Sequence, residues 1–347
     1  MNEITHERVN NTGVITLDRP KALNALNHAM ITSIAEALEE FRKDDAVEQV
    51  VLRSAVEKAY CSGGDVRSVR ETDLDGEYGP GDRFFDEEYV MNHALADFPK
   101  PTVALVNGIT MGGGLGVSAH ADQRVITPRT WESMPEMAIG FVTDVGISHV
   151  FTHLPHVPEE SRAAVGLFLA VTAYRLTTDD LLWTGLGTHL VEDIEAVAES
   201  LQAGEQLSEP KVVPGTAAHD EVAGRSELAR NLGWITETFS GSDWREIAQR
   251  IETSTGEFVD ATRELLAPAN PLSLVAAAVL LDHSSRSSLR EALDAELAIG
   301  SLLRRQPNFA EGVRAVLVDK DRDAHFVPAS VAEVTDEQVA EFRTALG

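Results

Sequence analysis

The 347-residue chain is poor in cysteine, in positive charge and in long apolar runs. A single cysteine, Cys61, excludes an internal disulfide framework. No apolar run reaches the roughly 18 residues that a membrane-spanning helix needs. The opening segment "MNEITHERVNN" has neither the basic region nor the apolar region of an export signal. These absences lead to the expectation of a cytoplasmic protein. Lysine and arginine total 29 against 56 aspartates and glutamates, a net charge of −27. Such a field repels nucleic acid and anionic membrane, so neither is expected as a partner. An anionic ligand would have to be held by local dipoles and a few cations.

Hydrophobic residues make up 43 % of the chain, enough to fill a core. The length suits one large domain with a smaller addition. "GVITLDRP" (13–20) reads as a strand entering a loop, and the run from 25 to 45 places Met30, Ile34, Ala37, Leu38 and Phe41 at helical spacing. "QVVLRS" (49–54) reads as a buried strand, "FFDEEYVMNHALADF" (84–98) as a helix stopped by Pro99, and "TVALVNG" and "QRVITP" as further strands. This recurrence predicts a repeated α/β core over residues 1–200. A polar segment with Pro and Gly, 201–230, reads as a connection, and residues 231–347 as mainly helical.

Two glycine loops each end a strand and open a helix: "CSGGD" (61–65) and "TMGGGLG" (110–116). Glycine lets a backbone approach a ligand closely, and free amides at such a turn point at negative charge. One amide from each loop on a single oxygen would make an oxyanion hole. Either loop alone is also an ordinary tight turn. "MPEMAIGFVTDVG" (134–146) sets two acids, Glu136 and Asp144, in an otherwise apolar run, where a bare charge is costly. They are either chemical groups or, respectively, a loop-surface acid and a helix cap.

Other chemistries fit poorly. "GGGLG" lacks the full dinucleotide-binding spacing. "GVSAH" and "GISHV" lack the closing glycine of a nucleophile elbow. His149 and His153 stand four apart but without a metal-site motif, and no metal is expected.

Taken together, "AYCSGGDV", "KPTVALVNGITMGGGLGVSAHAD" and "MPEMAIGFVTDVG" resemble the crotonase (enoyl-CoA hydratase/isomerase) superfamily. "FFDEEYVMNHAL", "NFAEGVRAVLVDKD" (308–321) and "PASVAEVTDEQVAEF" (328–342) point within it to the branch of 3-hydroxyisobutyryl-CoA hydrolases. The resemblance implies an α/β fold: a spiral of repeated ββα units with a mainly helical C-terminal region. It implies a coenzyme A thioester as substrate, in valine catabolism, with no separate cofactor, since coenzyme A is part of the substrate. It also implies a homo-oligomer, a trimer or dimer of trimers.

By the same resemblance the backbone amides of Ser62 and Gly113 form the oxyanion hole. Lys21, Ala22 and Leu23, with Gly63, Gly64, Asp65 and Gly112, line the substrate. Glu88, Glu136 and Asp144 match the substrate-contacting acids of the hydrolase branch. A hydratase uses two glutamates, and the position of the first is Gly116 here, which has no side chain. The acid pair present is Glu136 with Asp144, which implies thioester hydrolysis with Glu136 as nucleophile or general base. A hydratase or isomerase using Glu136 alone, or a silent acyl-CoA binder, are the alternatives. The branch pattern has Pro before the aspartate and Gly-Gly after the valine, where this chain has Thr143 and Gly146-Ile147-Ser148.

Overall fold

Alternation of short β-branched runs with glycine turns builds two sheets, parallel throughout except for an antiparallel edge strand. The computed structural model describes residues 3–347. Strand β1 (Ile4–Val9) forms an antiparallel hairpin with β2 (Thr12–Leu17). Helix α1 (His28–Lys43) follows, with Asn27 capping it by accepting from the Met30 amide. Strands β3 (Gln49–Ser54) and β4 (Ala59–Cys61) come next, then helices α2 (Val66–Leu74) and α3 (Tyr78–Ala96). The pattern repeats as β5 (Thr102–Val106), β6 (Ile109–Met111) and the short α4 (Gly113–Gly116), then as β7 (Gln123–Ile126) and β8 (Trp131–Ser133). The first strand of each repeat joins a six-stranded sheet ordered β1-β2-β3-β5-β7-β9, and the second joins a small sheet ordered β4-β6-β8. Strand β9 (His189–Leu190) closes the larger sheet after α5 (Ile147–Thr152), α6 (Glu159–Thr172) and α7 (Thr178–Thr184). This is the expected spiral of ββα units.

Three expectations need adjusting. β1 lay in a segment read as merely polar; only Ile4 of its six residues is buried, because it is an edge strand. Helix α3 starts at Tyr78 rather than Phe84, since Pro80 falls in the first turn, where no amide partner is needed. The stretch 201–230 is not all connection. After α8 (Ile194–Gln202) come α9 (Ala217–Arg225) and α10 (Glu227–Arg230), capped by Thr216 and Ser226 and anchored by buried Val222 and Leu228.

The remaining helices are α11 (Leu232–Thr238), α12 (Trp244–Thr253), α13 (Glu257–Leu266), α14 (Pro271–Ser284), α15 (Leu289–Arg304), α16 (Pro307–Val313) and α17 (Asp336–Ala345). They do not form a separate body. One apolar cluster runs from Ile4 to Phe342. Buried Arg304 of α15 binds Asp73 of α2 at 2.6 Å and Asp82 of α3 at 2.9 Å. A buried pair of this kind fixes geometry more than it adds stability. It holds α3, which carries Glu88, against the C-terminal region.

Candidate active site

All three strands of the small sheet run parallel, so their C-terminal ends meet on one edge. β4 delivers Ser62–Asp65, β6 delivers Gly112–Gly113 and β8 delivers Met134–Glu136. Loops at that edge of a parallel sheet are where ligands bind in α/β folds. Sheet pairing thus brings together two glycine loops and an acid that are far apart in sequence.

The Gly112–Gly113 segment is the centre. Gly112 has φ of +48°, a conformation that costs other residues strain, and a Cβ there would lie 2.9 Å from Glu136 Oε1. A Cβ on Gly113 would lie 2.6 Å from Glu88 Oε1 and 3.3 Å from the Gly64 amide nitrogen. Glu136, Glu88 and Gly64 therefore surround one short stretch of backbone. The Gly64 and Gly113 amides are given to no acceptor among the described residues.

Ser62 departs from the expectation. Its amide donates to Leu23 O at 3.0 Å and its hydroxyl to Ala22 O at 3.1 Å. An amide already paired with a carbonyl is not free for a substrate oxygen, whereas the Gly64 amide, beside Gly113, has no acceptor among the described residues. The glycine that frees this donor was expected only to line the substrate.

Lys21, Ala22 and Leu23 lie in the loop against Ser62, with Lys21 exposed. Asp65 binds Arg19 at 2.9 Å, which ties that loop to the glycine turn. Gly63 accepts from the Leu26 amide at 2.8 Å.

Glu136 begins a single 3-10 turn, Glu136–Ile139, and is 7 % exposed. It is not a loop-surface acid. Its Oε2 finds no partner among the described residues. Asp144 is 6 % exposed and accepts from the Tyr89 hydroxyl at 2.8 Å. Nor does Asp144 cap α5; Gly146 occupies that position. Burial, then the nearby Asp144 carboxyl, pushes Glu136 well above the usual carboxylate range. Burial raises Asp144 to about 7, against the opposing pull of the Tyr89 hydrogen bond. Glu88 is also raised by burial, then by Asp144, and its Oε1 is unpartnered among the described residues.

Tyr89 and Glu296 were not singled out from sequence. Glu296 of α15 accepts from the amides of Gly146 at 2.7 Å and Ser148 at 3.0 Å, and from the Ser148 hydroxyl at 2.5 Å. It clamps the turn just after Asp144, where Val145 has φ of +54°. A β-branched residue in that region is strained by about 1–3 kcal/mol and must be held. The Val145 carbonyl also accepts from His120 Nε2 at 2.7 Å. Ser148, one of the departures from the branch pattern, is part of this clamp. The signal for Glu296 was an acid opening the apolar run "ELAIGSLL"; nothing in the sequence linked it to Asp144. The C-terminal helices also back the Glu136 turn, for the Asn270 amide donates to Met137 O at 2.9 Å.

Gly116 leaves no room for the absent glutamate. A Cβ there would fall 2.8 Å from Val145 Cβ and 2.9 Å from Asn92 Nδ2. His149 and His153 stack at 4.0 Å between ring centroids, and His153 Nδ1 is 2.8 Å from His149 O. Two open clefts of about 490 and 830 Å³, lined by residues such as Arg53 and Glu195 or Trp131 and Arg175, include none of these carboxylates.

A ββα spiral with free amides from two glycine loops facing buried carboxylates defines a crotonase-fold acyl-CoA enzyme. The chain belongs to the enoyl-CoA hydratase/isomerase family, whose model matches residues 12–342. It is 36 % identical to the mitochondrial 3-hydroxyisobutyryl-CoA hydrolase of Xenopus laevis, covering 96 % of this chain and 87 % of that one. It is 34 % identical to the human protein of the same name, covering 99 % and 89 %. Among solved structures, an enoyl-CoA hydratase from Rhodobacter sphaeroides superposes with a TM-score of 0.88 at 32 % identity, covering 98 % of this chain and 96 % of that one. A carnitinyl-CoA dehydratase from Mycobacterium thermoresistibile superposes with 0.85 at 29 % identity, covering 99 % and 96 %. The expectation of a cytoplasmic protein is overturned by the 3-hydroxyisobutyryl-CoA hydrolase relatives, which are named as mitochondrial. Net charge and a lone cysteine do not distinguish the two compartments.

Proposed function

We propose that this chain hydrolyses a short branched 3-hydroxyacyl-CoA thioester, 3-hydroxyisobutyryl-CoA, to 3-hydroxyisobutyrate and coenzyme A, as a step in valine catabolism. The observation that carries it is Glu136: buried, with Oε2 unpartnered among the described residues, beside the Gly112–Gly113 backbone, while Gly116 offers no second glutamate. The names of relatives matched over nearly the whole chain support the same reading.

The thioester carbonyl oxygen takes hydrogen bonds from the Gly64 and Gly113 amides. Negative charge grows on that oxygen as the carbon becomes tetrahedral, so fixed donors there stabilise the transition state more than the substrate. In one route Glu136 takes a proton from water as the water oxygen bonds to the carbonyl carbon. Collapse then breaks the C–S bond and the thiolate receives the proton. In the other, a Glu136 oxygen attacks the carbonyl carbon, the thiolate leaves and is protonated, and water cleaves the mixed anhydride. Asp144 orients the water or the acyl hydroxyl, and Glu88 contacts the acyl group. Water is the only co-substrate. A trimer or dimer of trimers belongs to the same proposal and is read by light scattering.

Thiol release from a panel of acyl-CoA thioesters tests the proposal. Glu136→Gln is expected to cut the rate about 10²–10⁴-fold with acyl-CoA binding retained. Near-normal turnover by that variant rejects it. Hydration of crotonyl-CoA without thiol release would identify a hydratase, and binding with neither signal a silent binder. After a single turnover in ¹⁸O-water, label in Glu136 identifies the anhydride route.

A further inference from the structure

Asn92 lies one helical turn after Glu88 on α3, so the two side chains share a face. It is fully buried, and neither Oδ1 nor Nδ2 has a partner among the described residues. A primary amide offers two donors and an acceptor oxygen with two lone pairs. Leaving such groups buried and unpaired costs roughly 1–3 kcal/mol each, so an idle one in a packed helix calls for a ligand or water. Asn92 also has a direction. Its Nδ2 is 2.9 Å from the point where a Gly116 side chain would begin, and Val145, the neighbour of Asp144, bounds the same space. Glu88 Oε1 and Glu136 Oε2, on side chains against Gly113 and Gly112, are also unpartnered among the described residues.

We infer that Asn92 reads the 3-hydroxyl of the acyl group. This rests on the acyl-CoA hydrolase reading above and adds the residue that selects a hydroxylated acyl chain. The amide suits this task better than the carboxylates around it. Oδ1 accepts the hydroxyl proton while Nδ2 donates to the hydroxyl oxygen, so one side chain satisfies both roles of an alcohol. An acyl group with hydrogen in place of the hydroxyl leaves both amide atoms unpaired and is disfavoured for that reason. A neutral amide does not titrate, so its own contribution stays constant while Asp144, Glu136 and Glu88 beside it change charge. Asn92 takes part of the space that a side chain at position 116 would need, which links the lost glutamate to selection of an already hydroxylated substrate.

The experiment compares 3-hydroxyisobutyryl and isobutyryl groups in two ways: dissociation constants of their non-hydrolysable coenzyme A thioethers, and kcat/KM for thiol release from the thioesters. The wild-type chain is expected to favour the hydroxylated partner about 10- to 100-fold in both. Asn92→Leu should bring the ratio to within about twofold, with the whole loss on the hydroxylated compound. Equal losses on both compounds, or an unchanged ratio in a folded variant, overturn the assignment. Should Asn92→Leu fail to fold, Asn92→Asp decides. It keeps the shape but loses the donor once ionised, so at pH 8.5 the ratio should fall several-fold below wild type at the same pH; a ratio equal to wild type at both pH 6.5 and 8.5 overturns the assignment. If wild type releases no thiol, the hydrolase reading fails, and the thioether ratio still decides the role of Asn92.

Discussion

The Tyr89 hydroxyl donates to Asp144 Oδ2 at 2.8 Å, and both groups are buried. The bond joins α3 to the acid-bearing loop and stabilises the ionised form of Asp144, whose burial has pushed it up to about 7. Removing the donor in Tyr89→Phe raises Asp144 further. The limb of the pH–rate profile that follows Asp144 ionisation should shift to higher pH by about one unit, the equivalent of one hydrogen bond of about 1.4 kcal/mol. An unmoved profile would mean that Asp144 does not titrate in turnover.

Replacing Gly116 with Glu restores the residue type of a hydratase but not the enzyme. The new Cβ would fall 2.8 Å from Val145 Cβ, so the variant should lose about 1–3 kcal/mol in urea unfolding. It should gain no crotonyl-CoA hydration. Efficient hydration with unchanged stability would show that Val145 and Asn92 move aside freely.

Ser62 and Gly113 should separate sharply. Ser62→Ala removes only the bond to Ala22 O, so kcat should stay within about threefold, with up to about 1.5 kcal/mol lost in stability. Gly113→Ala sets a Cβ 2.6 Å from Glu88 Oε1 and displaces a proposed oxyanion donor. Its thiol-release rate should fall about 10²–10³-fold.

Glu296 should make stability depend on pH. Burial raises it to about 8 in the folded chain, well above its unfolded value near 4.3. The neutral form is therefore favoured by folding. Its contribution is full below about pH 4 and is lost as pH rises through about 8. Glu296→Gln should start lower, because an amide cannot accept from three donors as a carboxyl does, and should show a flatter decline in melting temperature between pH 5 and 8. The measurement is thermal unfolding across that range for both proteins.

Much of the fold could be read from local pattern. The runs at 49–54 and 102–106 are β-branched and apolar, and both are central strands. The helix at 28–43 follows its 3.6-residue spacing of Met30, Ile34, Leu38 and Phe41. Strand β1 and helices α9 and α10 were harder to see, because an edge strand and lightly buried helices carry few apolar residues. At the site, Glu136 and Asp144 stood out because acids in an apolar run are costly unless used. Tyr89, Asn92 and Glu296 did not, since a tyrosine, an asparagine and a glutamate on helices are usual wherever water can reach them.

The order of residues alone determined the chemical inventory: two glycine turns, a pair of acids and the missing side chain at position 116. Covalent identity and short-range spacing are enough to specify these. Only the tertiary structure decided which backbone amides are free. Leu23 reaches across to take the amide of Ser62, and nothing among the described residues takes that of Gly64. It also decided which polar groups find no partner among the described residues, as with the Asn92 amide and Glu88 Oε1. Hydrogen-bond satisfaction depends on what packs against a group from distant parts of the chain, and that is settled only when the sheets and helices close around it.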